Sequence, residues 1–231
     1  MPTNDSGQPI GAPLVGWTAR PQPPRTLITG RFCRVEPIDI ERHAADLHAV
    51  NTDPSSWTYL FYGPFSDFDS YRSWLADMAA LNDPLFYAIV DSRSGKAVGV
   101  AAYMRIDPAN GVIEVGHLNF SPALQRTASA TEAMYLMMRR AFETLGYRRY
   151  EWKCDSLNMP SRRAAERLGF SYEGTFRQAI VYKNRNRDTT WYSIIDSEWP
   201  ARKRAFEGWL APENFDAAGH QRHTLATFMR R

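Results

Sequence analysis

The sequence predicts one mixed α/β domain, in which helices flank a central sheet. The chain has 231 residues, 44% of them hydrophobic, which is enough to bury a full core of ordinary size. Segments with strand periodicity alternate with segments of helical periodicity. No internal repeat is visible. These three observations favour a single domain with tails over a repeat protein or a two-domain protein.

Composition narrows the class of protein. The 28 basic and 25 acidic residues give a formal net charge of +3, so nucleic acid is not expected as the main partner. Cys33 and Cys154 lie far apart and outside any metal-binding spacing, which fits a reducing cytoplasm. Neither a long apolar run nor a basic segment leading into an apolar one is present, so no membrane partner and no secretion are expected.

The chain is expected to divide into three parts. Residues 1–25 contain six prolines among small and polar residues, and we expect a proline-rich tail or a draped arm. The folded domain is predicted over 26–199. Residues 200–231 are predicted to form the rest of a C-terminal helix and a basic tail.

The first half of the domain begins with β-branched, alternating residues at 26–39, which predict a strand or a hairpin. Apolar residues at helical spacing predict helices over 40–50 and 69–81. The aromatic, turn-rich segment 55–65 between them would suit one wall of a substrate pocket. Three antiparallel strands joined by tight turns are predicted next; they cover 85–91, 97–107 and 112–120.

The second half returns to helix and strand in alternation. A long helix is predicted over 129–146, with Gly146 as its C-terminal stop, followed by a strand over 147–155. Pro160 and Gly169 bound a short helix. The last strands are predicted over 170–182 and 189–196, joined by a polar, basic, solvated turn at 183–188, and a Trp-bearing helix follows over 198–210.

The connection before the long helix is a candidate anion site. Free N–H groups and the helix dipole both favour negative charge at a helix N-terminus. The glycines that usually allow close approach of a phosphate are absent, and Arg126 and Ala128 occupy the places where we expect them. Arg126 and Thr127 would add a charged donor and a hydroxyl. The alternative is a plain helix N-terminus with Ser129 or Thr131 near the cap.

A second motif carries more information. The stretch NMPSRRAAERLGF, residues 158–170, places Ser161 and three apolar residues on one helical face. YEGTFRQ follows directly, then the KNRNRD turn and WYSIIDSEWP. Together with QRTASATEAM at 125–134, this combination resembles the Gcn5-related N-acetyltransferase (GNAT) superfamily, in particular its branch of Rim-type ribosomal-protein alanine N-acetyltransferases. The resemblance covers about residues 26–199.

The resemblance implies how acetyl-coenzyme A binds. A sheet of about seven strands is implied, splayed between its fourth and fifth strands, here 112–120 and 147–155. The pantetheine arm would lie along the fourth strand, bonded to the backbone near Leu118 and Phe120. No metal is implied. The family's pyrophosphate turn matches, with alanine at both glycine positions, the residues Gln125, Arg126, Thr127, Ala128, Ser129 and Ala130.

The resemblance also implies two residues on the cofactor side of the short helix, Asn158 and Ser161. Ser161 is a candidate to protonate the leaving thiolate, and the alternative is a cap or a hydrogen bond within its helix. Many acetyltransferases use a tyrosine for this step. Ala165 stands at that position here, so the tyrosine route is closed.

Two side chains of the predicted fourth strand are candidates for the general base. Glu114 is the first candidate, acting directly or through water on the amine's proton. His117 is the second, and strand alternation places it on the face opposite to Glu114. An ion pair with an arginine is the alternative for Glu114, and a hydrogen-bonded structural role is the alternative for His117.

The predicted function is that of a cytoplasmic N-acetyltransferase, which transfers acetyl from acetyl-coenzyme A to a primary amine by direct attack. The acceptor is left open between a protein N-terminus and a small amine. The alternative function is a non-catalytic acyl-coenzyme A-binding or RNA-associated module on the same fold. The helix between Trp199 and Trp209 could form a homodimer interface or fold back on its own sheet.

Overall fold

Eight strands form one sheet in the computed structural model, which describes residues 1–230; Arg231, the last residue of the predicted basic tail, lies outside the described residues. The strands are β1 (Ile28–Thr29), β2 (Cys33–Pro37), β3 (Leu85–Asp91), β4 (Ala97–Asp107), β5 (Val112–Phe120), β6 (Arg149–Asp155), β7 (Ser171–Tyr182) and β8 (Arg185–Ile195). The helices are α1 (Ile40–Val50), α2 (Phe68–Ala80), α3 (Ala128–Arg139), α4 (Met159–Arg167), α5 (Trp199–Leu210) and α6 (Leu225–Met229).

The strands lie in the order β1-β2-β3-β4-β5-β6-β8-β7. All neighbouring strands are antiparallel except β5 and β6, which are parallel and are connected through α3. The predicted mixed sheet is therefore confirmed. It has eight strands rather than about seven because the short β1 pairs with β2.

Each face of the sheet has its own core. Phe86 and Ala102 pack with the buried faces of α1 and α2 on one side. Tyr87 and Tyr103, their neighbours in sequence, pack under α3 and α5 on the other side, because successive side chains of a strand point to opposite faces. The C-terminal helix folds back on this second core, where Trp209 is 3% exposed.

Helix α3 is fixed to the first hairpin by the carboxylate of Glu132. Glu132 Oε1 accepts the N–H of Arg31 at 2.9 Å, and Oε2 accepts those of Phe32 at 2.6 Å and Cys33 at 2.9 Å. A Cβ on Gly30 would collide with this carboxylate, which explains glycine in the turn. The anchored helix begins beside the end of β5, so its N-terminus is held in one place.

The α-helical part of the helix predicted over 129–146 ends at Arg139. After α3, residues Arg140–Thr144 continue as one π-helical segment. Gly146 then adopts φ +71, the left-handed conformation that glycine takes without strain. The chain turns there into β6.

The last third of the N-terminal 25 residues contacts the folded domain. Trp17 Nε1 donates to the Ala109 carbonyl at 2.8 Å. Tyr147 Oη donates to the Pro21 carbonyl at 3.1 Å. Pro23 is buried. This segment therefore lies across one end of the sheet.

The predicted turn at 183–188 is wrong over most of its length. Only Lys183 and Asn184 form the turn, with φ of +47 and +57, and β8 begins at Arg185. Two residues of positive φ are typical of the tightest hairpins, because their twist matches that of the strands. Lys183 and Arg185 are exposed as predicted, although Lys183 Nζ donates to the Trp57 carbonyl at 2.8 Å, whereas Arg187 is buried.

We predict that the Glu132 anchor stabilises the fold measurably. Glu132→Ala leaves three backbone N–H groups without their acceptor, and we expect the free energy of unfolding to fall by about 3 kcal/mol. Glu213, which is exposed, provides the control: Glu213→Ala should change it by less than about 0.5 kcal/mol. Urea unfolding of both variants checks this, and equal stabilities would contradict the role of the anchor.

Candidate active site

Strands β5 and β6 separate after a short parallel pairing. Val112 to Val115 pair with Arg149 to Trp152, and no pairing follows. Beyond that point β5 carries a bulge: its register against β4 shifts between Gly116 and Asn119. An extra residue bends its strand and increases the local twist. The two strands therefore diverge and leave a gap in the middle of the sheet.

A cavity of about 410 Å³ occupies this gap. At Gly116, just before the bulge, the Met104 side chain packs against the backbone, where a Cβ would collide with its Sδ. The side chains around the cavity come from β5, β6, β8, the α1–α2 connection and the start of α4; they include Glu114, His117, Leu118, Lys153, Cys154, Asp155, Arg187, Tyr59, Leu60, Phe61, Asn158 and Pro160.

Glu114 stands where the strands separate, in a network of ion pairs. Its Oε2 lies 2.7 Å from Arg105 Nη1 and 2.9 Å from Lys153 Nζ. Lys153 also pairs with Glu151 at 2.7 Å, and Glu151 accepts from Arg149 Nε at 2.6 Å. Among the described residues nothing bonds to Glu114 Oε1. One carboxylate oxygen thus holds the strands together, and the other remains available in the cavity.

The prediction that His117 faces away from Glu114 is wrong. His117 has φ +51 within the bulge, and its ring stacks on Tyr62 with ring centroids 5.6 Å apart. Phe86 lies against the same ring at 4.8 Å. Both neighbours belong to the core under α1 and α2. The bulge inverts the alternation of side chains after Gly116, so His117 lines the same cavity as Glu114.

The His117 ring is held neutral. Burial of the ring and, to a smaller extent, the charge of Arg105 together lower its pKa from 6.5 to about 4, although Asp83 opposes this in part. Tyr62 Oη lies 3.2 Å from Nδ1. At neutral pH the ring is therefore a hydrogen-bonding group between aromatic neighbours rather than a cation.

Ser161 and Asn158 lie at the start of α4, beside β6. Asn158 Oδ1 accepts the Ser161 N–H at 3.1 Å and caps the helix. Ser161 Oγ accepts from Trp152 Nε1 at 3.0 Å. Its hydroxyl hydrogen remains free to be donated towards Cys154, whose thiol lies in the cavity wall. Burial raises the pKa of that thiol, so Cys154 is a packed thiol rather than a thiolate.

The turn before α3 takes the shape of a glycine turn without containing glycine. Arg126 adopts φ +63, a conformation that costs a non-glycine residue about 1 kcal/mol. The Thr127 hydroxyl is already engaged: it donates to the Leu124 carbonyl at 2.6 Å and accepts the Ala130 N–H at 3.1 Å. It has no hydrogen left to give an anion, contrary to the role expected for it.

The other predicted turn residues contribute less side-chain chemistry than expected. Ser129 Oγ points into the protein and donates to the Phe32 carbonyl at 3.1 Å. Gln125 Nε2 donates to the Phe120 carbonyl at 2.7 Å. This bond occupies one of the backbone groups that are expected to bond to pantetheine. Backbone N–H groups without a partner among the described residues remain at Arg126, Ala128 and Ser129.

The structure thus brings Glu114, His117, Leu118, Gln125 and Asn158 together around one cavity. The other turn residues, 126–130, are not among its lining residues, and neither are Phe120 and Ser161.

Three lining cations, Arg105, Lys153 and Arg187, are not predicted from the sequence. Lys153 stands in a predicted strand with no motif to mark it. Arg187 is 7% exposed although its stretch reads as a basic turn. The spacing of two between Lys183, Arg185 and Arg187 is a strand period and was the available signal.

The described residues contain no cluster of three or more His, Cys, Asp or Glu side chains that could hold a metal ion. Within the same residues, no helix is long and apolar enough to cross a membrane.

Comparison with known proteins gives one consistent family. Residues 34–171 match the acetyltransferase (GNAT) domain family. A GCN5-related N-acetyltransferase from Brucella melitensis superposes with a TM-score of 0.92 and is 50% identical, over 94% of this chain and 100% of that one. YdaF of Bacillus subtilis, whose name makes it a candidate ribosomal N-acetyltransferase, is 26% identical over 174 residues, which are 73% of this chain and 92% of that protein.

A relative of Rim type is also similar in part. The ribosomal-protein-serine acetyltransferase of Escherichia coli is 28% identical over 107 residues, which are 46% of this chain and 59% of that protein. The family predicted from the resemblance is confirmed by the domain match and by the Brucella structure. This chain belongs to the GNAT family of acetyl-coenzyme A-dependent N-acetyltransferases.

Proposed function

We propose that the enzyme transfers the acetyl group of acetyl-coenzyme A to a primary amine by direct attack within the cavity between β5 and β6. The observation that carries the proposal is the gap itself: two parallel strands that separate beside an unbonded carboxylate oxygen. A carboxylate there can take the proton of an amine, and the gap admits a thioester from the other side of the sheet. Acetyl-coenzyme A supplies the activated acetyl group and a thiolate leaving group.

The proposed co-substrate site uses backbone groups more than side chains. The free N–H groups of Arg126, Ala128 and Ser129 fit phosphate oxygens, and the dipole of α3 adds to the attraction. Asn158 and the Leu118 backbone would contact the pantetheine arm. The absence of glycines does not remove the turn, because Arg126 adopts the required conformation. No observation favours an RNA-associated module.

Glu114 is proposed as the general base. Its Oε1 is free in the cavity, and its pairing with Arg105 and Lys153 fixes the direction of the carboxylate. A water between the amine and Oε1 would serve equally well. The neutral His117 ring is proposed to orient the acceptor rather than to take its proton, because a base with a pKa of about 4 gives little driving force at neutral pH.

Ser161 is proposed as the proton donor to the leaving thiolate. Trp152 donates to the Ser161 oxygen, so this bond does not use the hydroxyl hydrogen, which can be donated to another group. The position at the capped start of α4 fixes this hydroxyl. No tyrosine competes for the role, since the residue at the usual position is Ala165.

The acceptor is proposed to be a protein N-terminus or a small primary amine. The ribosomal names of the relatives support the first choice. Aromatic side chains of the α1–α2 connection line the cavity, and we propose that they form its acceptor side. We also propose a cytoplasmic location, supported by two free, buried cysteines.

We predict that Glu114→Gln lowers kcat/KM for amine acetylation by about 10²- to 10⁴-fold, the usual contribution of a general base. The loss should shrink as the pH approaches the pKa of the amine, where the acceptor loses its proton without help. Glu151→Gln is the matched control. It removes a carboxylate from the same Lys153 network, but Glu151 does not line the cavity, and the rate should remain close to that of the parent.

Calorimetric titration with acetyl-coenzyme A and thermal melting accompany both variants. Equal rate losses in the two variants would mean that Glu114 acts only through its ion pairs and not as the general base. A parent protein that binds acetyl-coenzyme A but acetylates no amine would contradict the proposed reaction.

A second prediction concerns acid stability. The folded pKa of His117, about 4, lies below its ordinary 6.5, so the unfolded chain takes up a proton that the folded chain refuses. The stability due to this group is present above pH 6.5 and is lost as the pH falls towards 4. Between pH 7 and pH 5 the parent should lose on the order of 1–2 kcal/mol more than His117→Gln. Urea unfolding at both pH values measures this, and parallel losses would contradict it.

A further inference from the structure

Arg187 differs from the other cations of the cavity in having no counter-ion. Arg105 pairs with Glu114, and Lys153 pairs with Glu114 and Glu151. Among the described residues, Arg187 makes no ion pair. Its one side-chain hydrogen bond runs from Nε to Thr189 Oγ1 at 3.2 Å. The terminal nitrogens of its guanidinium are therefore unpartnered in the cavity wall.

This guanidinium is buried and held in place. Arg187 is 7% exposed. The guanidinium lies 5.2 Å from the ring centre of Phe61 and 5.9 Å from that of Tyr182, so aromatic faces fix its orientation. A buried charge without a counter-ion is unfavourable unless a ligand supplies one.

Two carboxylates, Asp155 and Glu114, attract Arg187 by their charge, but neither forms an ion pair with it. Asp155 attracts Arg187 and opposes the lowering of its pKa by burial. Its oxygens, however, are engaged elsewhere: Oδ2 accepts from Tyr182 Oη at 2.7 Å, and Oδ1 accepts the Leu157 N–H at 2.9 Å. Tyr182 is thus a neighbour of both charged groups.

The hairpin that carries Arg187 is braced against the opposite wall of the cavity. Lys183 Nζ donates to the Trp57 carbonyl at 2.8 Å, and Arg185 Nη2 donates to the Thr58 carbonyl at 2.7 Å. These two bonds join the turn and the start of β8 to the α1–α2 connection. Arg187 is thereby presented to the acceptor side of the cavity on a fixed strand.

We propose that Arg187 binds a carboxylate on the acceptor, so that the preferred substrates are primary amines that carry a carboxylate. This inference rests on the proposed function, whose acceptor class it narrows. A planar guanidinium with two free nitrogens matches a carboxylate in a bidentate, charge-assisted pair. The carboxylate belongs either to a free amino acid or to an acidic side chain near a peptide N-terminus.

The test compares acceptors that differ only in this group. The small pair is 4-aminobutanoate and 4-aminobutanamide, and the peptide pair is Ser-Asp-Ala-amide and Ser-Asn-Ala-amide. In the parent, kcat/KM should favour the acid over the amide by about 10- to 100-fold in at least one pair. The pair that shows the preference identifies the source of the carboxylate.

Three variants locate the effect. Arg187→Gln should abolish the preference, and Arg187→Lys should restore part of it, since a lysine keeps the charge but not the bidentate geometry. Arg177→Gln removes an exposed cation from the preceding strand β7 and should leave the preference unchanged. Acetyl-coenzyme A should bind the parent and Arg187→Gln equally in calorimetry. Weaker binding by the variant would assign Arg187 to the co-substrate and overturn the proposal.

A readout without turnover separates this proposal from the proposed reaction. The Nε–H signal of Arg187 in a nitrogen-15 NMR spectrum, identified by its loss in Arg187→Lys, should shift when either acid is added with coenzyme A and not with the amides. A shift without any acetyl transfer would refute the reaction and retain the carboxylate site. The proposal is overturned if no acid shifts the signal, or if the parent acetylates acids and amides alike.

Discussion

The short parallel pairing of β5 with β6, closed by the ion pairs of Lys153, determines the rest of the site. Lys153, the first residue of β6 beyond the pairing with β5, bonds Glu114 on β5 and Glu151 on its own strand. Beyond this contact the bulge at His117 turns β5 away. The cavity, the free oxygen of Glu114 and the entry for a thioester all follow from the fact that these strands are joined at one end only.

The fold supports this gap from outside. Glu132 binds three N–H groups of the first hairpin, and Ser129 binds the Phe32 carbonyl, so the start of α3 is fixed beside the open end of β5. The braced β7–β8 hairpin fixes the acceptor side in the same way. Both substrates therefore meet a site whose charged and hydrogen-bonding groups are positioned before either substrate arrives.

Periodicity predicted most helices and strands because their apolar faces are regular. It failed where backbone conformation departs from residue preference. A bulge centred on a histidine of positive φ leaves no mark in the sequence, so His117 was assigned to the wrong face. Arg126 likewise adopts the positive φ that glycine usually takes in such a turn, and nothing in the sequence indicates this. The basic, polar composition of 183–188 favours a solvated turn for Arg187, although its spacing of two from Arg185 is that of a strand. Such local conflicts are expected where a fold builds a functional site.

Hydrogen exchange of the backbone amides with and without acetyl-coenzyme A tests the central claim most directly. If the co-substrate enters the gap and its phosphates meet the α3 turn, exchange should slow in 116–120 and at Arg126, Ala128 and Ser129, whose N–H groups have no partner in the protein. The far edge of the sheet, β1 and β2, should be unaffected. Unchanged exchange in these two segments, or slowing confined to other parts of the chain, would contradict the account.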